Sequence, residues 1–218
     1  MSIEVLIPTM NEDLVLAVLS QINKNETLPY RVTVINNSEK ALNFSRAYEY
    51  PVKIVTPKKN VGVNPAWNYG LRKCKEGNHL SILNDDIEIT PLFFYKIEKC
   101  FNIRSRAGVI CPNVTSKSAL STVTPEVKIK GMKKREGWAF TIRNSLVKKI
   151  PHIPSSLKFF CGDDWIWNFT KRNKYFWFKD LYNPITHKVG ETLRSNMEIR
   201  YLMNKEKEIY RREMSKVP

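Results

Sequence analysis

Two pairs of adjacent aspartates stand out as residues able to do chemistry. Asp85 and Asp86 follow Asn84 in SILNDDIEIT, residues 81–90, and Asp163 and Asp164 stand in CGDDW, residues 161–165. Neighbouring carboxylates repel each other when ionised and lose hydration when covered. The first pair comes directly after Ile82 and Leu83, which suit a buried strand, and alternation resumes with Ile87, Glu88 and Ile89. Carboxylates at the end of such a strand need a positive partner or open water. The second pair opens a helical stretch. An acidic first turn favours a helix in its own right, so that pair also has a purely local explanation.

The elements that must carry these residues can be read from periodicity. Apolar runs at 3–9, 30–38, 52–57 and 79–83 suit strands, and residues 14–22, 64–74 and 91–101 suit helices. Asn64 is placed to cap the second helix, with Pro65 at its first position and Trp67 in the core. This alternation predicts an α/β fold with a mostly parallel central sheet flanked by helices. Residues 107–114 read as a further strand, and 115–136 as an exposed strand and loops with some mobility. GWAFTIRNSLVKKI reads as strand then helix. Residues 163–173 read as a helix with Trp165, Ile166 and Phe169 on one side. YFWFKDLYNPITH reads as a strand with a polar exit, and the chain ends in a charged amphipathic helix best explained as solvated.

Ligands of such sheets bind beyond the carboxyl ends of the parallel strands. Those ends are PTMNE, NNS, KKNVG and NDD. Four consecutive polar strand ends on one rim describe a site for a polar, phosphorylated ligand.

Bulk properties bound the alternatives. With 218 residues, 42% hydrophobic and 11% aromatic, the chain is long enough for one domain with a full core. No apolar run is long enough to span a bilayer, and MSIEVLIPTMNE reads as a strand rather than a signal peptide, so a cytoplasmic location is expected. Cys74, Cys100, Cys111 and Cys161 lack metal-ligand spacing and read as core thiols. The net charge of +15 attracts polyanions. It is spread along the chain without a basic helix or nucleic-acid module, so no nucleic-acid partner is expected.

The order of motifs resembles the GT-A fold of nucleotide-sugar glycosyltransferases, specifically family 2. The matching pieces are VLIPTMNE, INNSEK, NVGVNPAWNYGL, LNDDIEIT, GWAFTIRNSLVKKI, CGDDWIWNFTKRN and THKVGET, over roughly residues 3–192. The resemblance implies one GT-A domain over 1–218. Its nucleotide-sugar half is 1–105, its acceptor and catalytic half 106–192, and its C-terminal helix 193–218. It also implies an inverting, metal-dependent hexosyl- or deoxyhexosyltransferase of glycan biosynthesis, using Mn²⁺ or Mg²⁺ and a nucleotide-diphosphate sugar.

The residue roles follow from the same resemblance. Pro8, Thr9 and Asn11 would shape the pocket for base and ribose, with Glu12 on a ribose hydroxyl. Asn37, or its neighbour Asn36, takes the place of a base-reading acid. Asn60, Gly62 and Asn68 belong to the segment that closes over nucleotide and donor sugar. Asn84 stands first in the DxD-like motif, where the family has an acid. Asp85 would face sugar or ribose hydroxyls, and Asp86 would bind the cation that neutralises the diphosphate leaving group. His187 matches a histidine that contacts metal or diphosphate. Trp138 would line the acceptor or donor-sugar pocket. Asp164 matches the general base and Asp163 its neighbour, an assignment that can slip by one. Lys128, Lys130, Lys133, Lys134 and Arg135 form a basic loop that either attracts a phosphorylated group or is simply solvated.

Two other classes compete. A nucleotidyltransferase shares the architecture, but PTMNED lacks the expected glycines. A non-catalytic polyanion-binding module would fit the charge and Asn84. The acceptor, a glycan or another hydroxyl compound, is not readable. Peripheral contact of the last helix with an anionic membrane is the one membrane role left open.

Overall fold

The computed structural model describes residues 2–43, 47–121, 123–187 and 197–216. Strands β1 (Ile3–Thr9), β2 (Arg31–Asn36), β3 (Val52–Val55) and β4 (His79–Leu83) lie in the order β3–β2–β1–β4, all parallel. Helices α1 (Glu12–Ile22), α2 (Val63–Lys73) and α3 (Phe93–Ile103) cover them. Alternate residues of β1 serve opposite faces. Ile3, Val5 and Ile7 pack with α1 and α3, while Leu6 packs with Ala66, Trp67 and Leu71 of α2. Burial on both faces explains why β1, β2 and β4 are near-continuous apolar runs, whereas the edge strand β3 is partly exposed.

Beyond β4 the sheet changes character. Strand β8 (Ala139–Ile142) lies antiparallel between β4 and β6 (Ala107–Val114), and β9 (Phe176–His187) runs parallel to β6. Two short strands, β5 (Ile87–Glu88) and β7 (Ile129–Gly131), pair antiparallel with different parts of β9. Helices α4 (Asn144–Val147), α5 (Gly162–Arg172) and α6 (Met197–Met214), with a short 3-10 helix at Lys117–Ser121, complete the described elements. All four cysteines are buried free thiols, as expected.

Strand β9 is long because it changes partners midway. Its register with β6 jumps between Cys111↔Lys179 and Asn113↔Pro184. The extra residues are stabilised internally. The Asp180 carboxylate accepts from the backbone N–H of Lys128 at 2.8 Å and of Tyr182 at 3.0 Å. The Asn183 amide donates to Phe93 O at 3.1 Å, and the buried Lys96 ammonium donates to Tyr182 O. Past this bulge β9 pairs with β5, and His187 comes opposite Ile87.

The terminal helix corrects one expectation. It is not a solvated appendage, because Ile209, Tyr210 and Met214 pack on the second core and Glu206 is only 2% exposed. Residues 188–196, which include the end of THKVGET and the start of the expected helix, lie outside the described residues.

His79 makes acid stability testable. Its buried ring stacks on Phe101 at 4.4 Å, and its Nδ1 accepts from Asn144 N at 2.9 Å, which requires that nitrogen unprotonated. Burial, then repulsion by Arg143, lowers its pKa from 6.5 to about 4. The unfolded chain therefore binds the proton first as pH falls. This contribution is fully present above about pH 6.5 and is lost as pH drops through about 4. Urea unfolding across that window is expected to show a loss of about 3 kcal/mol from this ring.

Candidate active site

The carboxyl ends of β1 and β4 are tied together by a side-chain bond. The Thr9 hydroxyl donates to Asp85 Oδ2 at 2.6 Å and accepts from Asn11 N at 3.0 Å. Asn11 then caps α1 by accepting from Leu14 N at 3.2 Å. Burial raises the Asp85 carboxyl above the usual range; the Thr9 bond opposes this and the Asp86 charge adds to it. Pro8 precedes this junction in register with Ile35. An open cleft of about 800 Å³ lies beside it, lined by Met10, Glu12, Asn37, Lys40, Lys58, Lys59 and Asn60 among others. Three lysines there suit a phosphorylated ligand, and Glu12 and Glu39 beside them suit its hydroxyl groups.

Several residues expected to touch the ligand also shape the backbone around the cleft. The Asn37 amide donates to Gly62 O at 3.3 Å and accepts from Val61 N at 3.2 Å, so it fastens the 60–62 loop to β2. Asn36 is spent on Lys40 O and Ser38 N. Asn60 accepts from Gly62 N at 2.8 Å. Asn68 donates to Ile153 O and accepts from Ile153 N, both at 2.9 Å, which turns it toward the 152–153 segment. Asn64 is not a cap. Gly62 occupies that position, and the buried Asn64 amide donates to Leu157 O at 3.2 Å and Phe160 O at 2.8 Å.

Gly62 permits a close approach, but to the protein itself. It has φ +89°, and a Cβ there would lie 2.6 Å from Lys158 O. Gly62→Ala should cost about 2–4 kcal/mol from positive φ and overlap together, measured as a lowered urea midpoint. An unchanged midpoint would contradict this packing.

The DxD-like segment is joined to the second half of the chain by Trp138. Asn84 N donates to Trp138 O at 2.8 Å, and the Trp138 ring stacks on His187 at 5.3 Å. His187 Nε2 lies 3.2 Å from Asp86 Oδ1. That is ion-contact distance without hydrogen-bond alignment, and Asp86 Oδ1 is buried without a hydrogen-bond donor. The Trp138 indole N–H is likewise buried without an acceptor. A ligand presenting both a cation and an oxygen acceptor would satisfy the two groups. The donor set, one carboxylate and one imidazole, fits a Mn²⁺ ion, and less closely a Mg²⁺ ion, that takes its other ligands from phosphate and water. Among the described residues no cluster of three or more such side chains exists, so phosphate would have to complete the coordination.

On the other side of Trp138 stands the second acidic pair. A Cβ on Gly137 would touch the Asp163 carboxylate at 3.4 Å. Asp163 and Asp164 form the first turn of α5, as the sequence indicates. Burial raises the Asp163 carboxyl, the Asp164 charge adds to this, and Arg135 opposes it. Arg135 is the partner that sequence reading missed. Its guanidinium lies 2.5 Å from Asp164 Oδ1 and 3.7 Å from Asp163 Oδ2. The neighbouring Glu136 is fixed to Lys179 of β9 at 2.5 Å. Nothing in the spacing of the basic loop distinguishes Arg135 from Lys133 or Lys134. Those two and Lys128 and Lys130 are exposed, with Lys128 set over the Tyr182 ring.

The two acidic pairs thus flank the Gly137–Trp138 dipeptide at one rim of the sheet. Comparison with curated protein sequences gives no match. Among solved structures the fold is similar to a mannosyltransferase, PcManGT from Pyrobaculum calidifontis, in complex with GDP-Man and Mn²⁺. The TM-score is 0.66 at 14% identity, over 92% of this chain and 60% of that one. It is also similar to S. aureus TarS 1–349 in complex with UDP-GlcNAc, with TM-score 0.60 and 16% identity over 90% of this chain and 61% of that one. For GalNAc-T7 with UDP, GalNAc and Mn²⁺ the TM-score is 0.64 at 11% identity, over 86% and 44% of the two chains. This chain therefore spans about 60% or less of those solved chains. These likenesses show the GT-A fold. The sequence profile described as glycosyl transferase family 2 matches residues 4–164, from the first strand to the second acidic pair, and the chain accordingly belongs to glycosyltransferase family 2.

Proposed function

We propose that this chain transfers a sugar from a nucleotide-diphosphate sugar to a hydroxyl acceptor, with inversion at the anomeric carbon. The observation that carries the reading is the buried, unbonded Asp86 Oδ1, 3.2 Å from His187 Nε2, beside a lysine-lined cleft. The nucleotide lies in that cleft, with Glu12 and Asn60 at its wall and the diphosphate directed toward Asp86. A divalent cation held there by Asp86 and His187 would offset the charge that develops on the diphosphate as the glycosidic bond breaks.

Asp164 removes the acceptor hydroxyl proton as that oxygen attacks the anomeric carbon. Asp163 supports it from the same helical turn, and Arg135 orients the pair. Asp85, tied to Thr9, faces the sugar or ribose hydroxyls. Trp138 presents its ring to the sugar between the two acidic pairs. The GDP-Man and UDP-GlcNAc named with the similar structures support hexosyl donors as the first to try. A glycan or related hydroxyl compound is the acceptor, and the setting is cytoplasmic glycan assembly. No described helix is long and apolar enough to cross a membrane.

The test is a panel of UDP- and GDP-sugars with simple glycoside acceptors and Mn²⁺ or Mg²⁺, followed by release of UDP or GDP. Metal-dependent release is expected for at least one donor. Pyrophosphate release from a nucleoside triphosphate and a sugar phosphate would replace this reading with nucleotidyl transfer. Nucleic-acid binding with no thermal shift from UDP or GDP would replace it with polyanion binding.

A further inference from the structure

The turn that leads into α5 is held by a carboxylate from the far end of the chain. Glu206 of α6 is 2% exposed. Its Oε1 accepts from Lys158 N at 3.1 Å, and its Oε2 accepts from Phe159 N at 3.0 Å and Phe160 N at 2.8 Å. Three successive N–H groups converging on one anion form a backbone concavity of the kind that binds phosphate or carboxylate. Here α6 supplies the anion. The turn continues through Cys161, in the left-handed region at φ 61°, and Gly162 into Asp163 and Asp164.

One helical turn beyond Glu206, on the same face of α6, Tyr210 reaches the same place. Its hydroxyl lies 3.4 Å from Asp164 O and accepts a hydrogen bond from the Asn168 amide. The opposite side of the turn is fixed by Asn64, whose N–H donates to Lys158 O at 2.9 Å and whose side chain holds Leu157 O and Phe160 O. Gly162 lies against Asn64 so closely that a Cβ would overlap it. Residues 157–162 are therefore clamped between α2 and α6. The clamp ends on the two aspartates.

We propose that Glu206 is a positioning residue for sugar transfer, acting through the 158–162 turn to set the acidic pair against the acceptor. This rests on the reading of Asp164 as the base. Glu206 binds the turn at Lys158, Phe159 and Phe160, and the turn runs from there to the acidic pair, while it meets the wall of the cleft only through the packing of Lys158 on Gly62. Loss of Glu206 should therefore act mainly on the chemical step, with a much smaller effect on nucleotide binding. A misplacement of about 1 Å in a reacting group costs on the order of 100-fold in rate.

The experiment uses the full chain with the donor and acceptor that prove active, comparing Glu206→Gln and Glu206→Ala with the parent. UDP or GDP binding with Mn²⁺ is measured by calorimetry, which also counts folded sites. The expected result is a kcat per nucleotide-binding site at least about 10-fold lower, with nucleotide Kd within about 2-fold. Unchanged kcat per site overturns the proposal. Parallel loss of kcat and nucleotide affinity also overturns it, because Glu206 then only stabilises the fold. If neither variant is obtained folded, Tyr210→Phe is read the same way. A kcat several-fold lower at unchanged Kd is expected, and unchanged kcat is contradictory. Asp164→Asn is assayed alongside. Normal turnover by that variant sinks the base assignment itself. Its inactivity beside normal Glu206 and Tyr210 variants sinks only the role of Glu206.

Discussion

Asp164→Asn is expected to abolish sugar transfer while UDP or GDP binding with Mn²⁺ stays as in the parent. The carboxylate and the amide have nearly the same shape, so the contact with Asn168 through the Asp164 backbone carbonyl is unaffected. What the amide cannot do is take a proton. A positioned general base contributes about 10²–10⁴-fold, and the loss in kcat should fall in that range or beyond. Asp163→Asn, one residue away, is the informative comparison. Asp163 lies under Gly137 and has a raised carboxyl pKa, whereas Asp164 has the close contact with Arg135. A smaller loss is expected for Asp163→Asn. If the two losses are reversed, the base is Asp163. Normal turnover by both variants would remove the acidic pair from the chemistry.

Asp86→Ala is expected to remove most of the metal dependence of nucleotide-diphosphate binding. In the parent, Mn²⁺ should tighten UDP or GDP by at least about 10-fold, because in the proposed site a carboxylate and an imidazole would share the ion with the diphosphate. Without Asp86 only His187 remains, and one neutral ligand holds such ions poorly. The variant should also fold well, since it relieves a buried oxygen that no donor satisfies. His187→Ala should show a smaller loss of metal dependence, together with loosening of Trp138, on which the ring stacks. An Asp86→Ala protein whose nucleotide affinity still responds fully to Mn²⁺ would place the ion elsewhere.

The parallel half of the sheet was legible because its determinants are local. Each of β1, β2 and β4 is an apolar run ended by polar residues, and each helix between them has its own periodicity. The pairing of Asp86 with His187 was legible only as motif order. Its physical cause is the β9 bulge around Asp180 and Asn183, which carries the strand end across to β5. Periodicity says nothing of such a bulge. The asparagines carry a second role that motif order does not show. Asn37, Asn64 and Asn68 occupy positions in ligand-binding motifs, yet their amides satisfy backbone groups of neighbouring loops. An amide that donates and accepts serves either purpose, and only the fold decides between them. Arg135 was hidden among like charges. Glu206 and Tyr210 were hidden because a helix rich in Lys, Arg and Glu reads as solvated whichever of its faces is docked. Their spacing of four was the available signal, since it places an acid and an aromatic on one face.

In the proposed site a metal-bound diphosphate meets the acidic pair across Gly137 and Trp138. The decisive measurement is anomalous diffraction from crystals soaked with Mn²⁺ and UDP or GDP. A manganese peak is expected within coordination distance of Asp86 and His187 Nε2, with the diphosphate bound to the ion and its terminal phosphate on the side of Trp138 that leads to Asp163 and Asp164. A manganese–nucleotide complex bound away from Asp86, or a diphosphate running away from the acidic pair, would contradict it.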